Sequence, residues 1–258
     1  MTSVFDPVAI ARELRTAERT VTPVPLLSER QPGLTWDEAR AVARARDDLR
    51  RGDGDRQIGW KLGWTSAAMR RALGINRPNW GTTWESQRLA ESVDVSRFLH
   101  AKVEPELVYL CGADITGPVS VDEVAAACGG WALGFEVVDP RWPSFDFDWL
   151  DNTADNSSGS GVRIGDFALL TSAPADVVVN FHAVEDGDEV HMQGEGRSAM
   201  DDPLAAVAWL ATALAQEGEG LRAGHIVFTG GVTPPVDLEA GMQLELRSGD
   251  LPPVNLRT

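Results

Sequence analysis

Glu104 and Glu106 lie two residues apart in the run Lys-Val-Glu-Pro-Glu-Leu-Val-Tyr-Leu. Side chains of a strand alternate between faces, so an extended run points both carboxylates the same way. Further on, Glu136 interrupts the apolar run Leu-Gly-Phe-Glu-Val-Val. A lone glutamate in such a strand is costly to bury. Three converging carboxylates repel one another unless a cation sits between them. All-oxygen donors suit a hard divalent ion, Mg²⁺ or Mn²⁺. A solvated strand face is the competing explanation for Glu-x-Glu in so acidic a chain.

Lys61 stands in Ile-Gly-Trp-Lys-Leu-Gly-Trp-Thr, between two glycines and two tryptophans. Glycines in a strand-like run indicate close backbone approach. An apolar wall would lower the pKa of such a lysine and suit it to proton transfer. Alternatively its stem packs on tryptophan and its amine reaches water. The segment 150–160, Leu-Asp-Asn-Thr-Ala-Asp-Asn-Ser-Ser-Gly-Ser, reads as an Asx-turn loop. It also offers amides and hydroxyls to a carboxylate or keto group.

The chain has 258 residues, 43% of them hydrophobic, enough for one large core or a core with a small lobe. Its formal net charge of −16 argues against nucleic acid and against anionic membrane as partners. No apolar run is long enough to span a bilayer. The opening Met-Thr-Ser-Val-Phe-Asp-Pro has no basic region followed by an apolar one, so no signal peptide is expected. Cys111 and Cys128 form no disulfide framework. These points favour a reducing, cytoplasmic setting.

The elements that must position these residues can be read in outline. Asp6-Pro7 opens a helix over 8–19, and Thr35-Trp-Asp-Glu38 is a capping box opening a helix over 36–51. That helix carries Arg40, Arg44, Arg46, Arg50 and Arg51 among acids, which reads as a solvated, ion-paired face. Residues 20–33 read as a connecting loop, and Pro78-Asn79-Trp80-Gly81 as a turn. Capped helices are expected at 67–73, from Ser120 through Cys128, and at 204–217. Strand patterns cover 100–110, the Glu136 run, 167–171, 177–184, 189–193, 225–229, 243–247 and 254–257, with a hairpin turn at 185–188. Asp139 and Arg141 are expected to pair beside the metal site. The pattern is α+β, a rolled mixed sheet with helices at its rim. A helical N-terminal lobe over 1–57 and a β-roll catalytic domain over 58–258 are expected.

Several separated motifs, in order, carry a resemblance. They are Ile-Gly-Trp-Lys-Leu-Gly-Trp-Thr-Ser, Lys-Val-Glu-Pro-Glu-Leu, Glu-Val-Val-Asp-Pro-Arg, Thr-Ala-Asp-Asn-Ser-Ser, Pro-Leu-Ala-Ala-Val-Ala-Trp-Leu and Phe-Thr-Gly-Gly. Together they resemble the 2-keto-4-pentenoate hydratase branch of the fumarylacetoacetate hydrolase superfamily, which also contains 4-oxalocrotonate decarboxylases. The resemblance runs from about residue 8 to the C-terminus. It implies a fumarylacetoacetate-hydrolase-type β-roll, and Mg²⁺ or Mn²⁺ held by Glu104, Glu106 and Glu136. It implies that Lys61 is the catalytic lysine and that Trp64, Thr65, Asp155, Ser158, Thr229 and Gly230 lie beside the substrate. A homo-oligomer acting on a small 2-oxo or 2-hydroxydienoic acid follows, a hydratase first and a decarboxylase or other carbon–carbon lyase or hydrolase second. A non-catalytic partner subunit is the third reading. The chain departs from the pattern at Asn79, where an Asp is usual. Asn79 cannot accept a proton as a carboxylate does. Trp60, Trp64, Trp80 and Trp84 crowd the same motifs, which suits either a wide aromatic pocket or core packing.

Overall fold

The computed structural model describes residues 5–258. Three helices come first: α1 (Pro7–Thr20), α2 (Leu27–Arg30) and α3 (Trp36–Gly52). Asp6 Oδ1 accepts from the Val8 and Ala9 amides, and Thr35 with Glu38 forms the expected capping box. Then follow β1 (Gln57–Gly63), α4 (Ala67–Leu73), β2 (Asn79–Trp84), β3 (Lys102–Cys111), α5 (Val121–Ala126) and β4 (Cys128–Val138). The remainder is α6 (Trp149–Ala154), β5 (Gly159–Ile164), β6 (Val178–Glu185), β7 (Asp188–Glu195), α7 (Pro203–Gln216), β8 (Ile226–Gly231), β9 (Val236–Asp237), β10 (Gln243–Arg247) and β11 (Val254–Arg257).

The strands build two sheets. The larger runs β2-β1-β8-β3-β4-β5, with β9 pairing on β3, and only β1–β8 is parallel. The smaller is the antiparallel order β11-β10-β6-β7. Strand alternation sorts the larger sheet into two faces. Leu107, Tyr109, Leu133, Phe135 and Val137 turn towards Phe181, Leu244 and Leu246 of the smaller sheet and Leu210 and Leu214 of α7, forming the main core. The opposite face carries Val108, Ala132, Phe228 and, in the same alternation, Glu104, Glu106 and Glu136. A separate cluster joins Leu14, Leu27, Ala39 and Val42 of the first three helices to Trp142 and Ala154.

The fold is α+β with a curled sheet, as expected, and differs locally from the sequence reading. Asn79 lies on an edge strand rather than in a turn. Pro78 precedes the first paired residue, where a missing amide donor is tolerated. Residues 20–33 contain α2. Residues 167–171 form no strand beyond a single bridge, Ala168 to Trp131. The Ser120-capped helix ends at Ala126, and Cys128 already belongs to β4. The segment 150–160 is mostly α6 and a tight turn leading into β5. On α3 the arginine face is ion-paired but not solvated throughout. Arg40, Arg46 and Arg50 are buried, held by Glu217, Asp155 and Asp55 respectively.

Candidate active site

Glu104 and Glu136 are direct partners across β3 and β4, and Glu106 is two residues further along the same face of β3. One oxygen from each lies within 4.8 Å of the others. Glu106 and Glu136 are fully buried, and Glu104 is partly exposed. Glu106 Oε2 accepts the Gly230 amide at 2.7 Å, while its Oε1 has no partner. Neither Glu136 oxygen has a hydrogen bond; its nearest cation is Lys61 Nζ, 3.2 Å from Oε1. Burial, then the charges of Glu136 and Glu104, push the Glu106 carboxyl well above the usual carboxylate range. Burial pushes Glu136 up to about 7, against the pull of Lys61. Three ionised glutamates and one ammonium leave two negative charges uncompensated, which one divalent cation balances. Orphaned, converging oxygens without nitrogen or sulfur donors fit a hard ion.

Lys61 projects from β1 onto this face. It does not meet the apolar wall expected from its tryptophan neighbours, because Trp60 turns to the opposite face and is core. Its Nζ donates to the Ser157 carbonyl at 2.7 Å and to Ser157 Oγ at 2.9 Å. Ser157 Oγ in turn donates to Asn79 Oδ1 at 2.9 Å. Asn79 Nδ2 donates to Asn152 Oδ1 at 2.6 Å and to Thr153 Oγ1 at 3.1 Å. Asn152 Oδ1 also accepts Trp64 Nε1 at 3.0 Å, and its Nδ2 donates to Ser158 Oγ at 2.8 Å. A continuous hydrogen-bonded chain therefore runs from the lysine to the tryptophan.

The turn that delivers Ser157 and Ser158 is costly to hold. Asn156, Ser157 and Ser158 have φ of 56°, 51° and 57°, three consecutive left-handed residues with none of them glycine. Each such residue costs about 1–2 kcal/mol. Surrounding contacts hold them there. The Asn156 side chain pairs with both backbone groups of Thr82, at 2.7 and 2.9 Å, and Ser158 O accepts the Asp139 amide at 2.9 Å. Gly63 and Gly230 leave room beside this turn. A Cβ on Gly63 would lie 2.3 Å from Ser157 Oγ, and one on Gly230, at φ +116°, would lie 2.0 Å from Thr65 Oγ1.

A cavity of about 200 Å³ opens over the site. Lys61, Thr65, Ser66, Glu104, Asn152, Ser157, Ser158 and Thr233 are its polar lining. Trp64, Met69, Val138, Phe145, Phe147 and Pro235 are its apolar lining, with Trp64 Nε1 reaching Asn152. Of the tryptophans in the motifs only Trp64 lines it; Trp60, Trp80 and Trp84 are buried packing.

Two expected substrate contacts do not reach the cavity. Thr229 is on the opposite strand face from Gly230 and donates to the Leu107 carbonyl at 2.9 Å. Asp155 is fully buried, accepting from Arg46 Nη1 and Arg141 Nε at 2.6 Å each and from the Arg141 amide at 2.9 Å. Arg141 thus pairs with Asp155 rather than Asp139, whose carboxylate accepts the Leu99 and His100 amides. Sequence reasoning missed Met69, Phe145 and Phe147, and it flagged the segment holding Asn152 and Ser157 without singling those two out. Ser157 stood within a segment already singled out for its hydroxyls; the two phenylalanines carry no periodicity.

Asp155 ties α3 to the turn; its loss strips the buried Arg141 of its carboxylate and leaves buried Arg46 a 3.4 Å contact to Glu18. Asp155→Ala is expected to destabilise the protein by about 3–5 kcal/mol. Urea denaturation measures it, and a loss below about 1 kcal/mol, the range of an exposed ion pair, would contradict the assigned role.

No protein-family model matches the chain. A 2-keto-4-pentenoate hydratase of Burkholderia vietnamiensis (strain G4 / LMG 22486) is 30% identical over 92% of this chain and 90% of its own length. A 4-oxalocrotonate decarboxylase of Pseudomonas sp. (strain CF600) is 30% identical over 97% of this chain and 96% of its own. The crystal structure of 4-oxalocrotonate decarboxylase from Pseudomonas putida G7, complexed with magnesium and adipate, superposes with a TM-score of 0.92 at 28% identity, covering 97% of this chain and 96% of that one. Fumarylpyruvate hydrolase from Pseudomonas aeruginosa shares the fold alone, with a TM-score of 0.59 at 16% identity over 78% of this chain and 88% of that one.

Proposed function

The chain belongs to the 2-keto-4-pentenoate hydratase and 4-oxalocrotonate decarboxylase branch of the fumarylacetoacetate hydrolase superfamily, and from that premise we propose that it is a divalent-metal-dependent lyase of 2-oxo and 2-hydroxydienoic acids, a hydratase. The observation that carries this reading is the convergence of three carboxylates with orphaned oxygens beside a buried lysine. Glu104, Glu106 and Glu136 would hold Mg²⁺ or Mn²⁺. Such an ion, when bound, polarises a 2-oxo group and stabilises the charge that develops on its oxygen.

The chain's own groups supply the rest. Lys61 Nζ, held by Ser157, is placed to give and take a proton in the cavity. Asn79 fixes the Ser157 hydroxyl, accepting its proton-bearing side and leaving its lone pairs to the ammonium. Asn152 and Ser158 present an amide and a hydroxyl beside it. Trp64, Phe145 and Phe147 give the cavity apolar lining against which a hydrocarbon chain can pack.

The cavity lining favours the hydratase over the decarboxylase. Among the described residues Lys61 is the single basic side chain lining the cavity, and its Nζ is held by Ser157 and Glu136. A dioic acid such as 4-oxalocrotonate would bring a second carboxylate with no further basic lining side chain to meet it, although Lys102 Nζ stands 5.2 Å from the Phe145 ring centroid. Asn79 favours the decarboxylase, because it offers water no carboxylate base. Lys61, in its neutral form, would then take that role directly. A homo-oligomeric state and a cytoplasmic setting belong to the same proposal and rest on the family.

An ultraviolet assay with 2-hydroxypenta-2,4-dienoate and Mg²⁺ or Mn²⁺, products read by mass, tests the reading. Loss of dienol absorbance with gain of water supports it. Carbon dioxide release from 4-oxalocrotonate without hydration of the dienol replaces it with the decarboxylase. Asn79→Asp is expected to raise the hydration rate; an unchanged rate would show that Asn79 does not restrain it.

A further inference from the structure

The outer face of the smaller sheet carries a second group of metal-ligating side chains, remote in the chain from the glutamates of the cavity. His182 on β6 lies directly opposite His191 on β7. Their imidazoles stack with centroids 4.3 Å apart and planes 5° from parallel. Glu189 precedes His191 by two residues and so shares its face. Glu189 Oε2 is 3.0 Å from His191 Nε2 and 3.6 Å from His182 Nε2. One donor atom from each residue lies within 4.8 Å of the others. His182 Nε2 is buried, although its ring edge reaches the surface, and among the described residues it has no hydrogen-bond partner. The neighbouring cation does not compete, because Arg247 is turned onto Glu245 with two contacts of 2.7 Å.

We propose that His182, His191 and Glu189 form a second cation site, for a borderline divalent ion of the Zn²⁺ class. Two imidazoles and one carboxylate suit Zn²⁺ and disfavour Mg²⁺, the reverse of the all-oxygen set in the cavity. Donors bound tetrahedrally at about 2.0–2.2 Å lie roughly 3.4 Å apart. Both histidine–glutamate edges are already within a few tenths of an ångström of that spacing. The third edge closes by tilting the rings out of their stack, which the exposed His191 side chain is free to do. The acidic turn Glu185, Asp186 and Asp188 adjoins the site and concentrates cations there. Bound metal would clamp edge strand β7 onto β6, and water would complete the coordination shell.

Zn²⁺ binding to the full-length protein, measured by chelator competition with Mg²⁺ in excess, tests this. The expected result is one Zn²⁺ equivalent in the unmodified protein and in Glu106→Gln, with affinity at least about tenfold weaker in His191→Ala and in His182→Gln, as loss of a metal-supporting group commonly costs 10–100-fold. His191 is exposed, so His191→Ala leaves the fold intact and suffices if His182→Gln fails to fold. Unchanged affinity in His191→Ala, loss of the equivalent in Glu106→Gln, or no saturable Zn²⁺ binding in the unmodified protein would each overturn the proposal.

Discussion

Glu106→Gln is expected to abolish Mg²⁺ or Mn²⁺ binding at the three glutamates of the cavity and to lower turnover by about 10³-fold or more, since loss of one oxyanion-stabilising donor alone costs roughly 10²–10³. Glutamine preserves the shape and can still accept the Gly230 amide that Glu106 Oε2 holds at 2.7 Å, so the substitution isolates the charge. The same change has the opposite sign in metal-free protein. Burial and the charges of Glu136 and Glu104 already push the Glu106 carboxyl far up, and a neutral amide relieves that repulsion. Metal-free Glu106→Gln should therefore melt no lower than metal-free unmodified protein. A metal at a hundred times its Kd adds about 2.7 kcal/mol to a protein that binds it only when folded. The unmodified protein should gain that increment and the variant none. Melting curves with chelator and with Mn²⁺, alongside metal content, decide the matter. A variant that rises with Mn²⁺ as the unmodified protein does is not missing a ligand.

How much of the site could be read from the sequence depended on the range of the interactions. Glu104 and Glu106 were legible because alternation along one strand is local. Glu136 was legible as an anomaly, a carboxylate in an apolar run, although its register opposite Glu104 is a long-range pairing that no local pattern encodes. The same alternation rule separates Thr229 from Gly230, which cannot both face the substrate from one strand. Asp155 could not be placed, because its partner Arg46 lies 109 residues away on a helix. The left-handed turn at 156–158 was invisible for a related reason. Its residues have no glycine, and long-range contacts from Thr82, Asp139, Lys61 and Asn79 make the conformation tolerable. The tryptophans were conspicuous by number, yet their placement is decided by which strand face each occupies, and three of the four in the motifs turn into packing.

Lys61→Met carries the second large expected effect, a fall in kcat of about 10²–10⁴, the usual worth of a positioned acid–base group, with the metal retained. Methionine matches the aliphatic stem and removes only the proton-carrying end. That end makes three contacts, to the Ser157 carbonyl, to Ser157 Oγ and to Glu136 Oε1. The last of these is to the ligand Glu136 on β4, while Glu104 and Glu106 on β3 lose no contact; removing the ammonium also leaves the three carboxylates more in need of the metal. A purely structural lysine would behave differently, because loosening the Ser157 turn would weaken ligand binding together with turnover. The two roles separate in three measurements on the same variant: metal content, affinity for oxalate as an unreactive chelating acid, and exchange of substrate carbon-bound hydrogen with solvent deuterium. For a proton-transfer role the first two hold and the exchange disappears along with kcat. If exchange persists and kcat stays within about a factor of two, well below the span of acid–base effects, the proton is moved by another group. Glu104, the partly exposed carboxylate that lines the cavity, would be the next to test. If oxalate affinity falls in parallel with kcat, the lysine acts by holding the turn, and Ser157→Ala should reproduce its effect.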